Sequence, residues 1–269
     1  MNTSTLALSY ESDIENIRIT QCIKSIRLNS DGFTVSIHHE ETRKVHLIHQ
    51  YNLTSTLSDK EKINQIVKTD EELNINCRKK IFYYHTLINT QIPEDYYTKE
   101  NKDNILPLLT SKSETSTLFP ERIDTYKFYN LSVWDKTLFA NIKESFPGFT
   151  IKTCISNLFN LLHLFDKSEK KVILFIENRR FTILAAEKNS FLGTNSFSFT
   201  NEADFIYYII YFIRKIFIRT ENIHISIGGN IEEQSVLFQS VKKYFKQTSI
   251  FHHTHLSEID NGHYFCDLF

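Results

Sequence analysis

Few residues in this 269-residue chain stand close enough in sequence to do chemistry together. His252, His253 and His255 invite a metal reading, because residues two apart share one face of a strand, and Cys266 and Asp267 follow nearby. Neither a helical H-x-x-x-H spacing nor a cysteine pair supports that reading, so the histidines read as a polar surface strand. A two-metal nuclease would need several converging carboxylates, and the first strand, residues 22–28, carries none. Nor does a nucleophile elbow or a triad-like motif stand out.

Three turns then hold the remaining candidates. Ser30-Asp31-Gly32-Phe33-Thr34 joins an acid, a glycine and a hydroxyl, and Asp-Gly is also a strong hairpin signal by itself. In Glu177-Asn178-Arg179-Arg180 an acid precedes two long cations. Arginines can bind phosphate directly, yet a solvated surface turn accounts for them as well. Gly228-Gly229-Asn230 ends an apolar run, where a glycine pair marks either a ligand-lined loop or a close-packed turn from strand to helix.

The elements that must carry these turns follow from periodicity. Alternation predicts strands over 22–28, 33–37 and 45–49, a three-strand meander after a loose polar leader at 1–15. Ser58 with Glu61 forms a capping box before a helix whose stripe is Ile63, Ile66 and Val67. An aromatic, β-branched strand is expected over 80–89, a helix from Pro93 to about 109, and a Ser/Thr-rich loop over 110–120. Strand 125–131, helix 133–146 (closed by Pro147-Gly148), strand 149–152 and helix 154–165 complete the first half, up to a charged hinge at 166–171.

The second half predicts strands at 172–176, 181–186 and 191–199, then a helix capped by Asn201 with Asp204. Its residues Phe205, Tyr208, Ile209, Phe212 and Ile216 form one face, extended by Ile206, Ile210, Ile213 and Phe217. That is apolar nearly all round, the mark of a buried helix. Strand 223–227, helix 232–246 and strand 249–253 follow. Both halves therefore run β-β-β-α and then alternate, a topological repeat without residue similarity. The expected architecture is α/β with mixed sheets in two lobes around a cleft. The first lobe is 16–166, with an inserted segment at about 80–120. The second is 167–269 and lacks the final helix.

A net charge of −1 gives no electrostatic case for nucleic acid or an acidic membrane surface. The basic clusters Arg78-Lys79-Lys80, Arg214-Lys215 and Lys242-Lys243 read as solvated ends of elements. Phe (22) and Tyr (13) are abundant while Gly (6) and Pro (4) are scarce, which argues against a low-complexity chain. Cys22, Cys77, Cys154 and Cys266 lie far apart, as expected for reduced, buried thiols of a cytoplasmic protein. Residues 1–10 lack a secretory signal pattern. The longest apolar run, 205–217, is interrupted by Arg214-Lys215 and falls short of the roughly 20 residues that span a bilayer.

The duplicated order resembles the actin-like ATPase superfamily, a duplicated RNase H-like fold. Closer likeness lies in Leu28-x-x-Asp31-Gly32-Phe33, Asn195-Ser196-Phe197, Asp204-x-x-Tyr207-Tyr208, and a strand ending in Gly228-Gly229. As an ordered set over residues 16–269 they resemble the bacterial family domain of unknown function 3822, found mainly in Bacteroidetes. That family is linked to an actin-like fold without an assigned activity. Active members of the superfamily cradle phosphates in two glycine-bearing hairpins, with a carboxylate near each for metal or water. The resemblance thus implies an ATP–Mg site made of Asp31, Gly32 and Thr34 from one lobe with Glu177, Gly228 and Gly229 from the other. Because no glycine follows Glu177, the expectation is a protein with no catalytic residue and no cofactor, which binds another protein. A nucleotide-binding protein or slow ATPase is the alternative. A third reading is a scaffold that dimerises through the aromatic helix or the last edge strand.

Overall fold

The computed structural model describes residues 4–12, 18–29, 32–54, 57–100, 102–162, 170–188, 190–252, 256–257, 259 and 261–268. Its chain divides into two compact units. The first comprises Met1–Arg122 with Tyr129–Cys154, and the second Ile123–Phe128 with Ile155–Asp267.

The first unit is built on six strands: β1 (Ser4–Glu11), β2 (Cys22–Leu28), β3 (Gly32–His39), β4 (Val45–Leu53), β5 (Lys79–Tyr84) and β9 (Thr150–Thr153). They lie in the order β1-β4-β3-β2-β5-β9. The meander pairs antiparallel, while β2–β5 and β5–β9 are parallel. Alternation places Cys22, Ile26, Phe33, Val35 and Ile37 on one buried face. Helices α1 (Asp59–Leu73) and α3 (Lys136–Ser145) supply Ile63, Ile66, Leu138 and Ile142 to the same core. The Ser58–Glu61 capping box is formed as expected. Under α1 the buried ammonium of Lys24 pairs with the Asp70 carboxylate and donates to the Ile75 carbonyl at 2.8 Å.

Several expectations for this unit need correction. The leader is not loose: β1 pairs antiparallel with β4 through a bulge between Leu6 and Leu8, and Glu11 meets His49 Nε2 at 2.7 Å. Most of β1 is exposed, so backbone pairing to the β4 edge, rather than burial, holds it. Pro93 does not open the long helix expected to about 109, only a single 3-10 turn at Glu94–Tyr96. It ends β6 (Asn89–Pro93), and α2 (Lys102–Leu109) begins later. The 110–120 loop is half strand, since β7 (Ser116–Ile123) forms a separate three-stranded sheet, β6-β8-β7, with β8 (Phe128–Asp135). The helix expected from 133 starts at Lys136, because Asp135 caps it by accepting from the Leu138 N–H at 2.9 Å. The fourth strand of the main sheet is accordingly β5, with the buried run Ile81-Phe82-Tyr83, not the stretch around 125–131.

The second unit repeats the plan. Strands β10 (Lys170–Glu177), β11 (Arg180–Glu187), β12 (Ser190–Ser198), β13 (Ile223–Gly229) and β14 (Thr248–Ile250) take the order β12-β11-β10-β13-β14. This matches β4-β3-β2-β5-β9 strand for strand, so the duplication read from the sequence is present as topology. Helix α4 (Cys154–Leu161) precedes β10, and its Phe159 packs edge-on against Phe128 and Phe191. Helices α5 (Glu202–Ile216) and α6 (Val236–Tyr244) cover the sheet. Asn201 caps α5 by accepting from the Asp204 N–H at 2.9 Å. Helix α6 starts at Val236 rather than at 232, where Ser235 is its cap. The last strand is three residues, shorter than expected.

Helix α5 is not buried all round. Phe205, Ile206, Ile209, Phe212 and Ile213 are inward, whereas Tyr207 and Tyr211 are 61% and 47% exposed. Each tyrosine hydroxyl can remain in water while its ring covers apolar surface. Among the described residues no helix is long and apolar enough to cross a membrane.

Candidate functional site

In the first hairpin, Ser30 and Asp31 lie outside the described residues. Gly32 begins β3 and faces the neighbouring strand: a Cβ there would stand 2.0 Å from the Tyr51 carbonyl oxygen. Close approach of β3 to β4 therefore accounts for this glycine. Thr34 is fully buried, and its Oγ1 accepts from the Arg27 guanidinium at 3.3 Å. Its hydroxyl is engaged inside the sheet.

In the second unit, Glu177, Gly228 and Gly229 come together. Strands β10 and β13 are parallel neighbours, with Phe175 opposite Gly228 and Ile176 opposite Gly229, so all three end at one edge of the sheet. In open α/β sheets the carboxyl ends of parallel strands are where ligands bind. Gly229 has φ +86°, and a Cβ on it would fall 2.0 Å from the Ile176 carbonyl oxygen and 2.7 Å from the Ile176 nitrogen. The same carbonyl accepts from Asn230 N–H at 2.8 Å. Gly229 thus serves strand packing and the exit of the chain from β13.

The turn after Glu177 is short. Glu177 pairs with Arg180 in the ladder, leaving Asn178 and Arg179 as the loop. Asn178 takes the left-handed conformation at φ 52°, which asparagine tolerates. The Arg179 carbonyl accepts from Phe199 N–H at 3.0 Å, tying the turn to the end of β12. Glu177 is buried and Arg179 exposed.

Of the histidine cluster, His253 and His255 lie outside the described residues. Cys22, Cys77 and Cys154 are free and buried. Burial pushes the Cys77 thiol up to about 11, so it is a poor nucleophile. Among the described residues no three His, Cys, Asp or Glu side chains converge to hold a metal ion.

A second surface was not singled out by motif reading. A groove of about 640 Å³ runs between α5 and α6, lined by Glu202, Ile206, Tyr207, Ser240, Lys243 and Tyr244. Ser240 Oγ donates to the Glu202 carboxylate within this lining. Its signal in the sequence is the i,i+4 pair Tyr207 and Tyr211, on the aromatic helix that the scaffold reading names.

Comparisons with known proteins agree with this architecture. The structure resembles a Bacteroides thetaiotaomicron protein with an actin-like ATPase fold and unknown function: TM-score 0.78, 18% identity, covering 90% of this chain and 94% of that one. It also resembles the solved PilM-PilN type IV pilus biogenesis complex: TM-score 0.62, 8% identity, covering 93% of this chain and 97% of the other. At such identities the likeness speaks for the fold, an actin-like ATPase fold. Among curated proteins none matches the sequence at a significant level. The sequence model of one family matches residues 11–248. The chain belongs to that family, described as Protein of unknown function (DUF3822).

Proposed function

We propose that this protein does not turn over ATP and works by binding another protein. The observation that carries this reading is the β10–β11 turn. A phosphate cradle needs backbone N–H groups free to converge on an anion, usually over glycine. Here a two-residue loop of Asn178 and Arg179, without a glycine, takes that place. Gly32 and Gly229 both have packing reasons to be glycine. One neighbour of the same fold is a complex of two proteins, PilM and PilN, so protein binding is within the fold's range.

The test is hydrolysis of ATP by the purified protein with Mg²⁺. No turnover is expected. Turnover lost in Asp31→Ala would overturn the reading. Convergence of Glu177, Gly228 and Gly229 at one sheet edge favours the second reading, a nucleotide-binding protein or slow ATPase. Under it, Asp31, Gly32 and Thr34 would supply the other part of an ATP–Mg site.

A further inference from the structure

We infer that the groove between α5 and α6 is a docking site for a peptide segment of a partner protein, one carrying a carboxylate beside a large apolar side chain. The inference rests on the protein-binding reading above and gives that reading a place.

The argument begins with exposure. Tyr207, Tyr211 and Tyr244 are 61%, 47% and 56% exposed on two packed helices. The rings of Tyr207 and Tyr211 stack with centroids 6.1 Å apart and an interplanar angle of 20°. Tyrosine gives contact area at low entropic cost and is enriched where protein surfaces meet. A groove of about 640 Å³ suits a few side chains rather than a folded face.

Charge then selects the occupant. Two carboxylates in the first turn of α5 hold hydrogen bonds of their own, and of them only Glu202 lines the groove. Glu202 accepts from Ser240 Oγ, and Asp204 accepts from Thr200 and Asn201. Those bonds hold the Asp204 carboxyl below its usual range, the Thr200 hydroxyl contributing most. Lys243 lines the groove, and among the described residues no carboxylate pairs with it. Lys215 lies over the Tyr211 ring, 5.7 Å from its centroid, and adds positive charge about two turns along α5 from Tyr207. The floor, Ile206, is apolar. An incoming segment therefore meets an aromatic wall, an apolar floor and an available ammonium. An aromatic or aliphatic side chain would lie on the first two while a neighbouring Asp or Glu pairs with Lys243.

Random peptides displayed on phage provide the probe, selected on the wild-type protein and counter-selected on Tyr207→Ser/Lys243→Glu. Both sites are exposed, and circular dichroism and the melting temperature verify that the variant folds. The expected result is an enriched set sharing an acid within a few positions of a large apolar residue. As synthetic peptides these should lose at least about tenfold in affinity for Lys243→Glu. Exchanging the peptide's acid for lysine should recover the loss on that variant. Enriched peptides without an acid, affinity unmoved by the charge exchange, or no peptide distinguishing the two proteins would each overturn the inference. The broader reading fails differently: it falls to ATP turnover, whatever the groove does.

Discussion

Replacing Gly229 by alanine separates packing from ligand binding, and Gly148 provides its control. Both glycines have φ +86°, so alanine at either must bear the left-handed penalty, about 1–2 kcal/mol. Around Gly148 a Cβ would meet nothing within 4 Å, whereas at Gly229 it would overlap the Ile176 carbonyl oxygen at 2.0 Å, nitrogen at 2.7 Å and carbon at 2.8 Å. These are backbone atoms of β10, so relief requires β10 and β13 to part where Asn230 N–H bonds Ile176. Such overpacking costs about 1–3 kcal/mol. Gly229→Ala should therefore lose about 2–5 kcal/mol in total and Gly148→Ala about 1–2. Urea denaturation monitored by fluorescence measures both, with no nucleotide present. Equal losses for the two variants, or a Gly229→Ala protein as stable as wild type, would refute the packing explanation. That outcome would return Gly229 to the list of ligand-serving glycines.

Other outcomes follow from the same geometry. Ser58→Ala removes the α1 capping box and should cost about 1 kcal/mol in a denaturant titration. Asp70→Asn strips the partner from the buried Lys24 ammonium and should cost about 3 kcal/mol, whereas Lys24→Met, which removes the charge itself, should cost much less. His38 is fully buried, and burial first, then the charges of Arg43 and Lys79, lower its pKa from 6.5 to about 3. Its folded pKa lies below the unfolded one, so its share of stability is complete above 6.5 and is lost as the pH falls toward 3. By pH 5 the loss should be about 2 kcal/mol, visible as a lower denaturation midpoint and absent from His38→Leu.

How far the fold could be read in advance depended on where the controlling force lies. The β10–β11–β12 meander and β13 were legible because Val172 to Ile176 and Ile223 to Ile227 are buried runs with clear turns between them. The caps at Ser58 and Asn201 were legible because a cap is a local bond. Strand β1 was not, since its hold on β4 is backbone pairing to an edge 36 to 49 residues away, and its side chains are mostly exposed. Pro93 misled for a related reason: proline suits both a first helical turn and the end of a strand, and here it ends β6 and opens only a 3-10 turn at Glu94–Tyr96 before α2 begins at Lys102. For α5, the apolar face read from the sequence left out Tyr207 and Tyr211, and these are the residues the structure leaves exposed, although the helix was expected to be buried nearly all round. At the candidate site, the missing glycine after Glu177 was plain in the sequence. The packing contacts behind Gly32 and Gly229 were not, because they depend on atoms of other strands.

The chain has the actin-like ATPase fold, and the proposed function requires that this fold carry no working nucleotide site. Thermal unfolding of the full chain at millimolar ATP or ADP with Mg²⁺ tests it most directly. A ligand present at about a hundred times its Kd stabilises by about 2.7 kcal/mol, which for a protein of this size raises Tm by about 5–10 °C. The account predicts no shift with either nucleotide. A rise of that size, abolished by Glu177→Ala, would contradict it.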